Sequence, residues 1–574
     1  MFNKFLYFFD QKQKRSLTIL FCFMVISTIL EMIGLGFIFS IVGALNSAEI
    51  NNNLFINNLI NIFKINQNEI FIYLLIIFLT FYIIKIIFLS FYNWFESNFL
   101  YSFREFLSSR VFKKYLNQNF SFFYNRNSSE FIRNLMTEVE HFILYLISIL
   151  KLFLEIIIVL GIFCLLAYID LKFTVFITIT ILFFSCLYFF LFKEKLNAWA
   201  TQRQSEMQKI IQFMQEGFDG VKIIKLLGRE EFFFNKFKTH NVNLRGITIR
   251  TYFFQGVPRL LFELIGIFLI SFALFIFFSS GKSLNDIVQI LTVYIAASFR
   301  VLPSTSRIVT SLQHMKLCFP AVDLLFKELK NFKKDEPKIE EKFKFEKNII
   351  TRIKKFKHPE PSSFEISDIN LDISKGQKIG IIGPSGSGKS TLMEIMMGIT
   401  KPSNGTVEID GKSIFLNLKG WQKLIGLVPQ KIFILNASLR DNILFGLNKN
   451  KYSDNQITSI IKKINLENLY KRLPDGLDGN INENGINLSG GEIQRIGICR
   501  ALIYDPEILF LDEATSSLDL DTEQQILNEL KIFKDKTIIS IAHRVNTLKN
   551  SDIIYRIENG RLVDQGNFDK FRIK

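Results

Sequence analysis

The sequence predicts a bundle of six membrane-spanning α-helices followed by a soluble α/β domain, the pair working as a homodimer. Three observations carry this expectation. Long apolar segments recur between residues 17 and 302. A glycine-rich loop, Gly383-Pro384-Ser385-Gly386-Ser387-Gly388-Lys389-Ser390-Thr391, lies between an apolar strand-like run and a helix-like run. A second anion-receptive helix start, Leu488-Ser489-Gly490-Gly491-Glu492, follows in the same domain.

Composition sets the frame. At 574 residues the chain is long enough for two or more domains. Hydrophobic residues make up 49%, Phe numbers 63, and mean hydropathy is +0.24, which is high for a wholly soluble protein. Five scattered cysteines form no CxxC pair and read as buried free thiols. The net charge of +16 is not gathered in one patch. It flanks the apolar segments, which points to anionic lipid headgroups rather than nucleic acid.

The N-terminal stretch, residues 1–16, mixes Phe2, Phe5, Phe8 and Phe9 with Lys4, Lys12, Lys14 and Arg15. It reads as an amphipathic helix at the lipid interface. A secretory signal is the alternative, but the apolar run behind it is too long. The membrane region spans 17–326, with segments near 17–45, 70–92, 142–168, 171–192, 260–279 and 287–302. Each is near the ~20 residues a bilayer core requires, the last only with its neighbouring turns.

The loops set the orientation. Residues 48–69, 170–172 and 281–286 each hold one basic residue, Lys64, Lys172 and Lys282. Stretches 96–140 and 193–250 are rich in Lys and Arg and so are expected in the cytoplasm, together with both termini. Apolar residues recur there at helical spacing, as at Ile210, Phe213, Met214, Phe218 and Val221. Those stretches therefore read as helices continuing below the membrane, each broken once, near 124–129 and 217–220.

Charges inside the apolar segments are Glu31, Lys85, Lys151, Glu155, Arg259, Glu263 and Arg300, with Arg307 just beyond. A lipid-facing Lys or Arg at mid-bilayer costs about 2.5–3.5 kcal/mol, so most of these should face partners or a wet cavity. Arg259 and Glu263 are spaced to satisfy each other at i,i+4. A basic lining for an anionic cargo is the other reading.

A polar stretch at 327–343 links to the soluble domain, 344–574. Strand, glycine loop, Lys-Ser/Thr and helix form the context of a phosphate-binding P-loop. Its backbone N–H groups and helix start cradle phosphates. Lys389 reaches the β- and γ-phosphates, and Ser390 holds Mg²⁺. The run Ile508–Leu511 ends in Asp512 and Glu513: the first carboxylate suits Mg²⁺, the second a water-polarising base. His543 follows the next apolar run and reaches for the γ-phosphate. One nucleotide cannot occupy both helix starts, so Ser489, Gly490 and Gly491 of one copy are expected to cap the ATP held by another copy's P-loop.

Together, 383–391, Gln430 after Val428-Pro429, 488–492, Asp512–Glu513, the Ser517-Leu518-Asp519 loop and His543 resemble an ABC transporter of the exporter type. The resemblance covers nearly the whole chain. It implies ATP and Mg²⁺ as cofactors, nucleotide contact at Asp519, a Mg²⁺-sensing and catalytic part for Gln430, and coupling helices near 124–129 and 217–220. Glu483 would face the turns of the membrane region. Where the family stacks a tyrosine on adenine, this chain offers His358, which stacks with less area. Where the family often has Gln, it has Glu492.

The membrane half is similar to bacterial flippases for lipid-linked oligosaccharides, in 256–259 and 300–311. That implies an inner-membrane protein whose Lys85, Arg259, Arg300 and Arg307 engage a polyprenyl-pyrophosphate-linked glycan. An exporter of peptides, drugs or another lipid, including a lipopolysaccharide core, stays open. A soluble ATPase with membrane-associated helices is the reading from another class, and the consistent charge bias of the loops argues against it.

Overall fold

The computed structural model describes residues 2–44, 70–124, 126–169, 171–279, 284–330, 343–357, 364–481, 488–514, 520–530, 533 and 535–572. The chain divides into two compact units: Met1–Gln118 with Arg126–Lys333, and Asn119–Asn125 with Lys334–Lys574.

The first unit is helical. Its long helices are Gln11–Ala44, Ile70–Leu116, Val139–Ile169, Leu171–Asp219, Glu230–Ser279 and Leu284–Lys330. Among the described residues, five stretches are long and apolar enough to cross a membrane: Gln11–Gly34, Leu75–Leu116, Ser128–Ala167, Leu171–Asp219 and Glu230–Ile276. The sixth expected span falls in Leu284–Lys330, which is not among the five. Pro303 and Pro320 interrupt the hydrogen-bond ladder of that helix.

Several helices reach 47 to 50 residues, about twice what a bilayer core needs. They therefore run on well past their apolar parts. A 3₁₀ turn at Phe120–Phe122 follows the Ile70–Leu116 helix, and Asn127 caps Ser128–Arg133 by accepting from the Ser129 N–H. Gly220 separates Leu171–Asp219 from Val221–Leu227, and Gly228, in the left-handed region at φ +59°, closes that short helix.

Close approaches fix the bundle. A Cβ on Gly266 would lie 2.4 Å from Leu302 Cδ1, and one on Gly161 2.7 Å from Met32 Sδ. Small residues at such crossings let membrane helices pack by van der Waals contact. The N-terminal aromatics take part in the packing. Phe5, Phe8 and Phe9 are buried, with the Phe8 ring tilted against Phe142 at 4.5 Å and Phe9 stacked on Phe103 at 4.5 Å. The helix that carries them is short, Phe2–Leu6, so Phe8 and Phe9 enter the core from a turn. The single amphipathic helix expected over 1–16 is thus not formed: a turn separates Phe2–Leu6 from the helix that starts at Gln11, and the rings face the bundle.

The second unit holds two main sheets. Strands β1 (Asn348–Lys357), β2 (Glu365–Ser374), β4 (Asn404–Ile409) and β5 (Lys412–Ser413) form an antiparallel sheet in the order β2-β1-β4-β5. Strands β3 (Lys378–Ile382), β6 (Ile425–Val428), β9 (Ile508–Asp512), β10 (Thr537–Ile541), β11 (Ile553–Glu558) and β12 (Arg561–Gly566) form the other, ordered β12-β11-β3-β10-β9-β6. Its central pairs β3–β10, β10–β9 and β9–β6 are parallel. Both faces of such a sheet are covered, which is why β3 and β9 read as unbroken apolar runs instead of alternating ones. A small pair, β7 (Ala437–Ser438) with β8 (Asn480–Ile481), stands apart.

Candidate functional site

Parallel strands deliver their C-terminal ends to one edge, and that is where ligand sites form in open α/β sheets. Here Gly383 follows β3, Glu513 follows Asp512 at the end of β9, Ala542 and His543 follow β10, and Pro429 and Gln430 follow β6. The strand order therefore gathers residues that lie far apart in the chain.

The loop after β3 needs its glycines. Gly383 has φ +157°, and a Cβ there would sit 2.0 Å from the Ile557 carbonyl oxygen. Gly388, at φ +100°, caps the Lys389–Met396 helix and packs against Phe364. Lys389 is 4% exposed, and its ammonium donates to the carbonyls of Gly383 at 3.0 Å and Pro384 at 2.9 Å. Burial lowers its pKa, against the opposing pull of Glu513 and Asp512. A buried cation folded back on its own loop carbonyls, beside a buried Ser387 hydroxyl without a partner, fits a phosphate chain well.

Ser390 Oγ stands 3.5 Å from Asp512 Oδ1. Burial and the neighbouring Glu513 raise the Asp512 pKa. A carboxylate so disfavoured in its charged form gains from a divalent cation, so Ser390 and Asp512 suit Mg²⁺. Glu513 takes the left-handed region at φ +48°, with its N–H donating to Ile541 O at 3.2 Å. Its carboxylate is held on both sides: Gln430 Nε2 donates to Oε2 at 2.6 Å, and His543 Nε2 lies 2.6 Å from Oε1. The structure thus brings Lys389, Ser390, Asp512, Glu513, Gln430 and His543 into one site. His358 and Asp519 lie outside the described residues, as does Glu483.

Ser489 caps the Gly490–Leu502 helix. Its hydroxyl accepts from the Glu492 N–H at 3.2 Å, and its own N–H donates to Glu492 Oε2 at 2.7 Å, a complete capping box. Arg472 Nη2 holds the other Glu492 oxygen at 3.1 Å. The Ser-x-x-Glu spacing is a sequence signal for such a cap that motif reading passed over, and it explains locally why Glu is accepted at 492.

Among residues that motif reading passed over, Glu394 stands out. The Tyr124 hydroxyl donates to its Oε2 at 2.5 Å, so the 119–125 segment is anchored on the P-loop helix. A single Glu inside a helix gives no sequence signal for such a role.

In the helical unit the four expected cargo cations part company. Arg259 and Arg307 line one cavity of about 670 Å³, with Glu263, Ser298 and Ser306 among apolar neighbours. Lys85 is 8% exposed, its ammonium 4.9 Å from the Tyr82 ring, and Arg300 pairs with Glu31 at 2.5 Å; neither lines that cavity. Arg307 pairs with Glu155. Among the described residues no ion pair joins Arg259 to Glu263, so the i,i+4 pairing that their spacing allows is not made.

A family profile for the ABC transporter transmembrane region matches residues 17–301, and one for the ABC transporter matches residues 366–516. A protein of Rickettsia prowazekii, provisionally named an export ATP-binding/permease protein, is 41% identical over 209 residues, 36% of each chain. The chain thus aligns with little more than a third of the length of that relative. An ATP-dependent lipid A-core flippase of Methylobacillus flagellatus is 27% identical over 372 residues, 64% of this chain and 62% of that one. A structure of a bacterial Atm1-family ABC exporter with ATP bound superposes with a TM-score of 0.81 at 19% identity, over 98% of this chain and 97% of the other. The chain belongs to the ABC transporters, with a transmembrane region fused ahead of an ATP-binding domain.

Proposed function

We propose that the protein is an ATP-driven flippase. Acting as a homodimer, it moves a polyprenyl-pyrophosphate-linked oligosaccharide from the cytoplasmic to the outer leaflet of a bacterial inner membrane. The observation that carries this reading is the cavity of about 670 Å³ in which Arg259 and Arg307 stand among apolar helices. Cations are costly there unless an anion meets them. Arg pairs phosphate oxygens in bidentate fashion and so recognises the head group, while the polyprenyl tail stays in lipid.

The nucleotide chemistry follows from the second unit. Lys389 and the loop N–H groups hold the phosphates, and Ser390 with Asp512 holds Mg²⁺, which supplies positive charge at the phosphates. Water attacks the γ-phosphorus, the bond to the β–γ bridging oxygen breaks to leave ADP, and Glu513 takes the proton of the water. His543 and Gln430 orient that carboxylate, each through one oxygen. Ser489 of a second copy completes each site, so two ATP molecules are sandwiched between two chains. Closure of that pair biases the membrane helices toward an outward-facing state.

The relative named as a lipid A-core flippase favours a second reading, in which the cargo is another anionic lipid. Arg259→Ala in liposomes tests the cargo site. Head-group translocation falls at least tenfold while ATP hydrolysis without cargo stays within twofold. If both fall together, Arg259 serves the fold and the cavity loses its claim.

A further inference from the structure

We propose that Glu155 is a displaceable counter-anion for Arg307, and that it selects cargo head groups by charge. The inference rests on the cargo reading above. Arg307 lines the cavity with 47% of its side chain exposed, while its partner Glu155 is 3% exposed in the Val139–Ile169 helix. The pair is lopsided. Arg307 Nη1 binds Oε1, and the buried Oε2 has no hydrogen-bond partner among the described residues.

A buried ion pair is held firmly only when its remaining lone pairs are also satisfied. With one oxygen orphaned, this carboxylate depends on Arg307 for its compensation, while the half-exposed guanidinium stays open to a ligand from the cavity. A phosphate-bearing ligand has to take Arg307 from Glu155 and leave that carboxylate without its counter-ion.

That penalty falls on any ligand that takes Arg307 from Glu155, and its recovery depends on ligand charge. A diphosphate offers several oxygens to Arg307 and also reaches Arg259, which has no ion-pair partner among the described residues. A monophosphate recovers less, and a neutral amphiphile does not take Arg307 from Glu155 at all. Specificity built on a cost imposed on the wrong ligand is a common design. Arg300, held by Glu31 at 2.5 Å, is a second cation kept by an acid in the same unit, but it does not line the cavity.

The test uses the full chain in nanodiscs of zwitterionic phosphatidylcholine, where no anionic lipid competes. ATP hydrolysis is followed against farnesyl diphosphate, farnesyl monophosphate and farnesol. In Glu155→Gln the half-stimulating concentration of the diphosphate falls about tenfold, the shift that ~1.4 kcal/mol of removed competition gives. The monophosphate gains at least as much, the farnesol response is unchanged, and Glu155→Asp keeps the wild-type order.

Stimulation of Glu155→Gln by diphosphate at the wild-type concentration overturns the inference and leaves the cargo reading standing. Failure of the diphosphate to stimulate the wild type, beside normal basal hydrolysis, overturns the cargo reading and this inference with it. Should Glu155→Gln not fold, the wild type carries the test. The diphosphate is then expected to act at no more than a tenth of the monophosphate concentration, and equal potency overturns the proposal.

Discussion

Glu513 is held in the left-handed region with both carboxylate oxygens engaged, by Gln430 at 2.6 Å and His543 at 2.6 Å. Glu513→Gln is isosteric but cannot take a proton from water. We expect ATP binding within twofold of wild type and turnover reduced at least ~100-fold, since a positioned general base contributes about 10²–10⁴. Equal turnover in the two proteins would remove Glu513 from that role. Asp512, its pKa raised by burial and by Glu513, keeps its proton to higher pH than an ordinary carboxylate, about 3.9. Metal binding needs the charged form. Mg²⁺ affinity therefore weakens on acidification, starting above the ordinary aspartate range. Calorimetric titration of Mg²⁺ into the nucleotide-bound protein between pH 7.5 and pH 5 checks this, and a flat profile contradicts it. The spacing of Lys389, Asp512, Glu513 and His543 was legible in the sequence because a chain segment fixes each motif. The pairings of Arg300 with Glu31 and of Arg307 with Glu155 were not, because helix crossings decide them and local spacing pointed to Arg259 with Glu263 instead.

Helices and strands repeat the lesson one level up. The apolar runs at β3 and β9 read as buried strands, and they are buried, because a parallel sheet is covered on both faces. The apolar segments read as spans and the stretches beyond them as continuing helices, and the helices do run past the apolar parts by several turns. Leu171–Asp219 runs to 49 residues, since its polar continuation keeps helical spacing without keeping hydropathy. The Phe5, Phe8 and Phe9 rings were readable as an amphipathic pattern but not as bundle core, which only the position of Phe142 and Phe103 decides. Gly266 marks the tightest of the helix crossings, 2.4 Å from Leu302 Cδ1 for an added Cβ. Gly266→Val overpacks it and is expected to cost about 1–3 kcal/mol. A lowered thermal unfolding midpoint in detergent, relieved by adding Leu302→Ala, is the expected result. An unchanged midpoint would mean that the crossing is loose.

At the scale of the molecule, the proposed head-to-tail pair would set Ser489, which caps its own helix with Glu492, over the ATP held by a second copy. Ser385→Cys with Ser489→Cys in the Glu513→Gln background is therefore expected to cross-link between chains when ATP is added, and not without it. ATP-independent or intramolecular cross-linking would contradict head-to-tail pairing. The most direct test of the whole account is translocation in liposomes that hold the purified protein and a polyprenyl-pyrophosphate oligosaccharide, with Glu513→Gln as the blank. The account predicts movement that requires both ATP and Glu513. Healthy ATP hydrolysis without movement of that cargo would contradict it.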